Sequence, residues 1–401
     1  MAETSYRSGR HFLQLPGPTN MPQRISEAIA RPTIDHRGAD FQRFTRHLLE
    51  AMKPVFRTAG PIIIYPSSAT GAWEAALANT LSPGDAVLMY ETGWFATLWC
   101  RVAKRLGLAP ELLPGDWRSP VDADAIEARL RDDRTQQIKA VCVVHNETST
   151  GVVSNLAHVR RAIDRAGHPA LFMADIVSSL AAIDYRHDEW GVDVAICGSQ
   201  KGLMLPPGLA FNAVSDKALQ ASRDARLPRS YWDWDEIMSA NRDGFFPYTP
   251  ATNLLQGLKT AVEMLAEEGL DAVFERHRRA AAATRAAVGH WGFELQSRDP
   301  AAYSPAITAV RVPEGTSADA LRRTALDRCN MSLGNGLGPL ADRVFRIGHL
   351  GDFSEPATLG TLAAIETSLA RQGIAHRPGG VGAAIASLLA ADAPADTALV
   401  A

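Results

Sequence analysis

Lys201 is one of six lysines among 41 basic residues, and it stands in the run Cys197-Gly198-Ser199-Gln200-Lys201-Gly202, directly after the apolar stretch VDVAI. A glycine-rich turn past a strand end is where an α/β sheet exposes ligand-binding groups. An amine held there and partly desolvated can condense with an aldehyde to a Schiff base. Taken by itself, the position equally suits a surface lysine in a turn. Asp175 ends the apolar run ALFMA, 26 residues before Lys201. A carboxylate at a strand terminus can hold a protonated ring nitrogen, or it can cap a turn toward Ser178 and Ser179.

A lysine and an aspartate on neighbouring strand ends are what pyridoxal 5'-phosphate (PLP) requires: one for the imine, one for the pyridinium nitrogen. A third segment, Pro66-Ser67-Ser68-Ala69-Thr70-Gly71, leads from a strand into a helix. Free N–H groups at such a start, flanked by hydroxyls, form an anion site; ordinary N-capping is the plainer use of the same residues. Thr92-Gly93-Trp94-Phe95 follows another strand, so an aromatic there either stacks on a cofactor ring or packs a helix start. His145-Asn146-Glu147-Thr148-Ser149-Thr150-Gly151 combines His with Glu, but the spacing matches no zinc-binding pattern, and no metal is expected. Arg346, in VFRIGHLGD, lies within an apolar strand. Its guanidinium either takes a substrate carboxylate in two parallel hydrogen bonds or pairs with a buried acid. Gly334-Asn335-Gly336-Leu337-Gly338 lacks the spacing of the dinucleotide fingerprint and reads as a loop.

Positioning these groups demands strand ends. Residues 62–65, 86–90, 140–144, 170–174 and 192–196 are short runs of apolar residues separated by helical spans. That alternation predicts a mostly parallel sheet covered by helices on both faces. From about Asn253 the pattern becomes two long amphipathic helices broken near Gly269, and short strands at 306–312 and 344–347 follow, which suits a small C-terminal α+β domain. The expected organisation is an N-terminal segment at the active site (1–22), a large domain (23–270) and a small domain (271–401). The segment 224–248, rich in Arg, Trp and Asp, fits no regular element and is expected to be a long loop.

The chain has 401 residues, a formal charge of -3 and 46% hydrophobic residues. Such a balance gives no field for nucleic acid or acidic membranes, and no apolar run reaches the ~18 residues of a membrane span. Without an apolar signal core at the N-terminus or a peroxisomal tripeptide at the C-terminus, and with four dispersed cysteines, a cytoplasmic protein is expected.

The stretches PGPTN (16–20), IDHRGADF (34–41), SSATGAWEAAL (67–77), HNETSTGV (145–152), DIVSSL (175–180), GSQKGLMLPPGL (198–209), PYTPAT (247–252) and FRIGHLGD (345–352) together resemble the class V, fold type I PLP-dependent aminotransferases, most closely the alanine/serine–glyoxylate group. The resemblance runs over about residues 11 to 375. It implies PLP as cofactor and a homodimer, or a higher oligomer, with composite active sites. Lys201 would carry the imine and then shuttle the proton at the substrate Cα, and Asp175 would pair the pyridine nitrogen. Phe95 would stack on the ring, with Trp94 beside it as the other candidate, and Thr148 would bond the phenolic oxygen. Ser68, Ala69, Thr70 and Gln200 would hold the phosphate, with Tyr248 and Thr249 from the other subunit. Arg346 would clamp the α-carboxylate, with Thr19 and Asn20 closing the pocket. Ala69 stands where the family usually has glycine, and Thr252-Asn253 where bacterial relatives are more apolar.

The implied reaction is amino transfer from a small L-amino acid, serine first and aspartate or alanine next, to glyoxylate. Pyruvate as acceptor, or a desulfurase or lyase reaction on the same fold, are the alternatives. A second carboxylate of aspartate could be read by Arg37, Arg226 or Arg229, residues that serve equally well in surface or subunit ion pairs.

Overall fold

The computed structural model describes residues 9–392; the ends of the expected N-terminal segment and small domain, residues 1–8 and 393–401, lie outside it. In chain order the strands are β1 (Phe12–Gln14), β2 (Ile62–Tyr65), β3 (Ala86–Tyr90), β4 (Ala109–Leu113), β5 (Ile138–Val144), the short pair β6 (Asn146–Glu147) and β7 (Val152–Val153), β8 (Leu171–Asp175), β9 (Val194–Gly198), β10 (Ala210–Val214), β11 (Glu294–Leu295), β12 (Ile307–Arg311), β13 (Met331–Asn335) and β14 (Val344–Gly348).

Seven of them form one sheet in the order β2-β10-β9-β8-β5-β3-β4. All neighbours in it are parallel except β10, which runs against both β2 and β9. Helices cover both faces, so no alternation survives in the edge strand β2 or in the central strands β8 and β9, which are buried along their whole length. Two apolar clusters fill the layers: one includes Phe172, Phe211 and Leu258, the other Trp73, Trp99 and Trp234. Strand β10 carries Asn212 into this core, where its side chain accepts from the Tyr65 hydroxyl at 2.9 Å and donates to the Ala195 carbonyl at 3.1 Å.

The second sheet runs β1-β13-β14-β12-β11. Its first strand comes from the N-terminus: β1 pairs in parallel with β13, Phe12 opposite Met331 and Gln14 opposite Leu333. The helix Leu270–Trp291 crosses this half and packs on the helix Gly380–Asp392. Chain leaving β1 at Leu15 must therefore cross to the large sheet, and it passes over Lys201 as it does so. Residues 224–248 contradict the expectation of an irregular loop. They contain the helix Trp234–Arg242, capped by the Asp233 carboxylate, and Trp234 is fully buried with its indole N–H donating to the Tyr65 hydroxyl at 2.7 Å. Its Arg, Asp and Trp density hid a short helix with one deeply anchored face. Among the described residues no helix is long and apolar enough to cross a membrane.

Candidate active site

The carboxyl ends of the parallel strands bring the chemical residues together, as the geometry of such sheets requires. Asp175 is the last residue of β8, Lys201 follows β9, Thr148 follows the end of β5, Phe95 follows β3, and the helix Ala69–Thr80 follows β2. Ser68, Ala69, Thr70, Phe95, Thr148, Asp175, Gln200 and Lys201 line one cavity of about 120 Å³. Trp73, Val144, Asn146 and Val177 complete its wall.

The carboxylate of Asp175 is held at both oxygens. Oδ2 accepts from the Trp73 indole N–H at 2.9 Å, and Oδ1 from the Val177 N–H at 2.9 Å. Burial pushes its pKa up to about 7; the two donors and the Lys201 charge oppose that shift, and the neighbouring Glu147 adds to it. Lys201 is 8% exposed, and its amine donates to the Pro16 carbonyl. Burial first, then the Arg346 charge, lowers the amine to about 8, with Asp175 opposing. A Cβ on Gly17, whose φ is +90°, would come within 2.8 Å of Lys201 Cε, so only glycine lets the N-terminal segment close over the amine.

Ser68 sits at the N-cap of Ala69–Thr80 and makes no capping bond from its side chain. Gln200 Oε1 and Asn146 Oδ1, both next to the cavity, are buried without a partner. Orphaned polar atoms of this kind are expensive unless a ligand engages them. The Thr148 hydroxyl donates to Ser178 Oγ at 2.8 Å, which itself donates to the Asn146 carbonyl at 2.9 Å. Of the two aromatic candidates, Phe95 lines the cavity. Trp94 faces away: the Arg101 guanidinium lies 4.9 Å over its ring, and a Cβ on Gly338 would fall 2.7 Å from it.

Arg346, in β14, is 6% exposed. Its Nε donates to the Asn335 carbonyl at 2.7 Å and its Nη1 to the Thr148 carbonyl at 2.9 Å. Burial lowers its pKa to about 10, and no acid among the described residues pairs with it within 4 Å. A buried cation bonded only to carbonyls is costly, and an anionic ligand relieves that cost.

The remaining expected residues stand elsewhere. Thr19 is buried with its hydroxyl unpartnered, close to Gly351. Asn20 exchanges both halves of its amide with the Leu13 backbone at 3.3 Å, which ties the N-terminal strand to the turn that follows it. Tyr248 stacks on Tyr231 at 4.6 Å and donates to the Ile64 carbonyl at 3.3 Å, while Thr249 is exposed; neither lines this chain's cavity. Arg229 pairs with Asp233 and donates to the carbonyls of Ala78, Ala225 and Ser222. Arg37 and Arg226 are exposed. His145 is buried beside Ser179 Oγ at 2.9 Å, and burial lowers it to about 4, which favours the neutral imidazole. Sequence reasoning missed Trp73 and Asn146. Trp73 lies four residues into the helix that begins at Ala69, on the turn facing the sheet, and that spacing was the available signal.

The chain belongs to the class-V aminotransferase family: the family described as "Aminotransferase class-V" matches residues 12–337. It is 47% identical to the serine–glyoxylate aminotransferase of Methylorubrum extorquens over 389 residues, covering 96% of this chain and 97% of that one. It is 44% identical to the L-aspartate–glyoxylate aminotransferase of Paracoccus denitrificans over 372 residues, 92% of this chain and 94% of that one. The fold matches the crystal structure of ureidoglycine–glyoxylate aminotransferase from Bacillus subtilis with a TM-score of 0.88 at 26% identity, covering 96% and 99% of the two chains. The family's cofactor is pyridoxal 5'-phosphate. The cavity fits it: an amine of lowered pKa, a doubly held carboxylate, an uncapped helix start and two orphaned amide oxygens meet around one cavity.

Proposed function

We propose that the enzyme transfers an amino group from a small L-amino acid, serine before alanine or aspartate, to glyoxylate, giving glycine and a 2-oxo acid. The observation that carries the reading is Arg346, a buried guanidinium without an acidic partner whose charge reaches Lys201. A substrate α-carboxylate would complete it and so bring Cα toward the amine.

The bound cofactor supplies an electron sink conjugated to the substrate Cα. Lys201, its amine freed, would take the proton from the substrate Cα and hold it for return; burial, which lowers the amine to about 8, suits it to act as a base near neutral pH. Asp175 keeps the ring nitrogen protonated, and Trp73 and Val177 hold the carboxylate in place for it. Ser68, Thr70, Gln200 and the N–H groups of the helix start at Ala69 take the phosphate. Phe95 would pack against the ring, and Thr148 would bond the phenolic oxygen. Tyr248 and Thr249 of the partner subunit add to the phosphate site of a cytoplasmic homodimer. Thr19, with its free buried hydroxyl, closes the carboxylate end.

Serine ranks before aspartate because Arg229 is already engaged by Asp233, which leaves a second carboxylate to the exposed Arg37 or Arg226 or to the partner. Desulfuration needs a mobile thiol. Cys100, Cys142 and Cys197 are buried, the latter two pushed well up by burial, and Cys329 is half-buried. The two names at 44–47% identity pair serine or aspartate with glyoxylate as acceptor, which supports the acceptor chosen here.

Two measurements test this. Glycine formed from serine and glyoxylate by the PLP-loaded enzyme, with pyruvate a poorer acceptor, is the expected result; no glycine from any of the three donors overturns it. Mixing inactive Lys201→Ala enzyme with a Tyr248→Phe, Thr249→Ala double variant should restore activity if sites are composite. Mixtures that show only the weighted sum of the two parents contradict that part.

A further inference from the structure

Glu147 is fully buried and has no role in the chemistry above. It ends β6 and begins the turn to Gly151, whose N–H donates to the Glu147 carbonyl at 2.8 Å. Its carboxylate faces the start of the helix Trp94–Arg105. Oε1 accepts from the Phe95 N–H at 3.3 Å, the Ser149 hydroxyl at 2.6 Å and the Ser149 N–H at 3.1 Å. Oε2 accepts from the Ala96 N–H at 3.2 Å, and Ser149 Oγ takes the Trp94 N–H at 2.9 Å.

A helix leaves its first N–H groups unpaired, and Gly93 at the N-cap has no side chain to offer. The cap is therefore supplied from the turn after β6, fifty residues along the chain. Gly93 makes the approach possible: a Cβ there would sit 2.7 Å from Glu147 Cδ. Immediately after Glu147, Thr148 lines the cavity and its carbonyl accepts from Arg346.

From these contacts we infer that Glu147 is a positioning residue. Its carboxylate fixes the aromatic wall at Phe95 relative to the carboxylate-binding end at Thr148 and Arg346. The inference rests on the cofactor reading above. An anion suits the place, because it faces two backbone donors at the positive end of a helix dipole. Four hydrogen bonds oppose the rise in pKa that burial imposes on it. An amide of the same shape would aim an N–H at one of those donors, leaving a buried clash of donors.

The test compares Glu147→Gln, Glu147→Asp and Ser149→Ala with Asp133→Asn. Asp133 is a buried acid that accepts from the Ile138 N–H at 2.7 Å, at the opposite end of β5 from the site. Each apoprotein is titrated with PLP, following the visible absorbance and the circular dichroism of the bound cofactor, and its Tm is recorded. Glu147→Gln should weaken PLP roughly 5- to 100-fold, the range of one buried unpaired polar group, and reduce the dichroic signal. Ser149→Ala should move both readouts less in the same direction, and Glu147→Asp should recover part of the loss. Asp133→Asn should lower Tm while leaving PLP affinity and dichroism as in the wild type. Wild-type affinity and dichroism in Glu147→Gln overturn the inference, as does an equal loss in Asp133→Asn. If Glu147→Gln does not fold, unchanged readouts in Ser149→Ala overturn it instead. A wild-type protein that develops no visible band with PLP refutes the cofactor reading itself, which is a separate outcome.

Discussion

Arg346 has five N–H donors, and two of them are already committed to the carbonyls of Asn335 and Thr148. Those bonds fix the guanidinium plane and leave donors for one carboxylate. A hydrogen bond to a charged group is worth about 1.5–3 kcal/mol net, so a bidentate pair supplies about 3–6 kcal/mol. Arg346→Gln should therefore cut kcat/KM for serine by roughly 10²- to 10⁴-fold. Arg346→Lys keeps the charge but loses the fork, so roughly 10- to 100-fold is expected. Stability should behave differently, because the substitution to Gln removes a buried cation that no acid pairs with directly and that only the charge of Glu147 offsets, and the apoprotein Tm should stay level or rise. Steady-state kinetics with serine, beside a primary amine lacking a carboxylate, reads the effect. The amine should be handled equally well, or equally poorly, by wild type and variant. Arg346→Lys or Arg346→Gln within about threefold of wild type on serine would refute the argument that this guanidinium binds the substrate.

Lys201→Ala should keep the fold and abolish turnover, and measurable steady-state transamination by it would sink its assignment as the base. Asp175→Asn should lose more than about 100-fold in turnover, because a neutral amide cannot hold the ring nitrogen protonated; near-normal rates would contradict the pairing. The same variant tests the raised pKa of the Asp175 carboxyl. With Asp175 at about 7 when folded and near ~3.9 unfolded, the native state keeps a proton that the unfolded state has lost. Its contribution to apoprotein stability therefore falls as pH rises from about 4 to 7, and the difference between wild type and Asp175→Asn in urea unfolding should show that slope. A difference independent of pH would contradict it. Gly17→Ala should weaken PLP binding and slow turnover, since its Cβ meets the Lys201 side chain at a φ of +90°; unchanged titrations would show that the segment moves aside freely.

Much of this site was legible because its members lie at the ends of apolar runs. Asp175 and Lys201 could be found from ALFMA and VDVAI followed by polar turns, since a parallel sheet must deliver such residues to one edge. The long helices around Gly269 were equally plain from their periodicity. Strand β10 was not singled out, because Ala-Phe-Asn-Ala-Val places a polar residue in its centre, and the partners that satisfy it, the Tyr65 hydroxyl and the Ala195 carbonyl, lie elsewhere in the sequence. The pairing of β1 with β13 joins segments more than 300 residues apart, and no local pattern announces such a partner. Glu147 read as a possible metal ligand or a polar loop residue; its use as a remote cap depends on Gly93, which offers no side chain of its own. Arg229 could serve a substrate contact or an ion pair by its position alone, and its guanidinium pairs with Asp233 and with backbone carbonyls.

The most direct test of the central claim is a half-reaction titration of the PLP-loaded enzyme, with serine, alanine and aspartate added separately and the visible cofactor band followed. The account predicts that serine bleaches the band at the lowest concentration, that glyoxylate restores it, and that glycine appears in equal amount. A band that forms with PLP yet is bleached by none of the three donors, or one restored by pyruvate but not by glyoxylate, would contradict it.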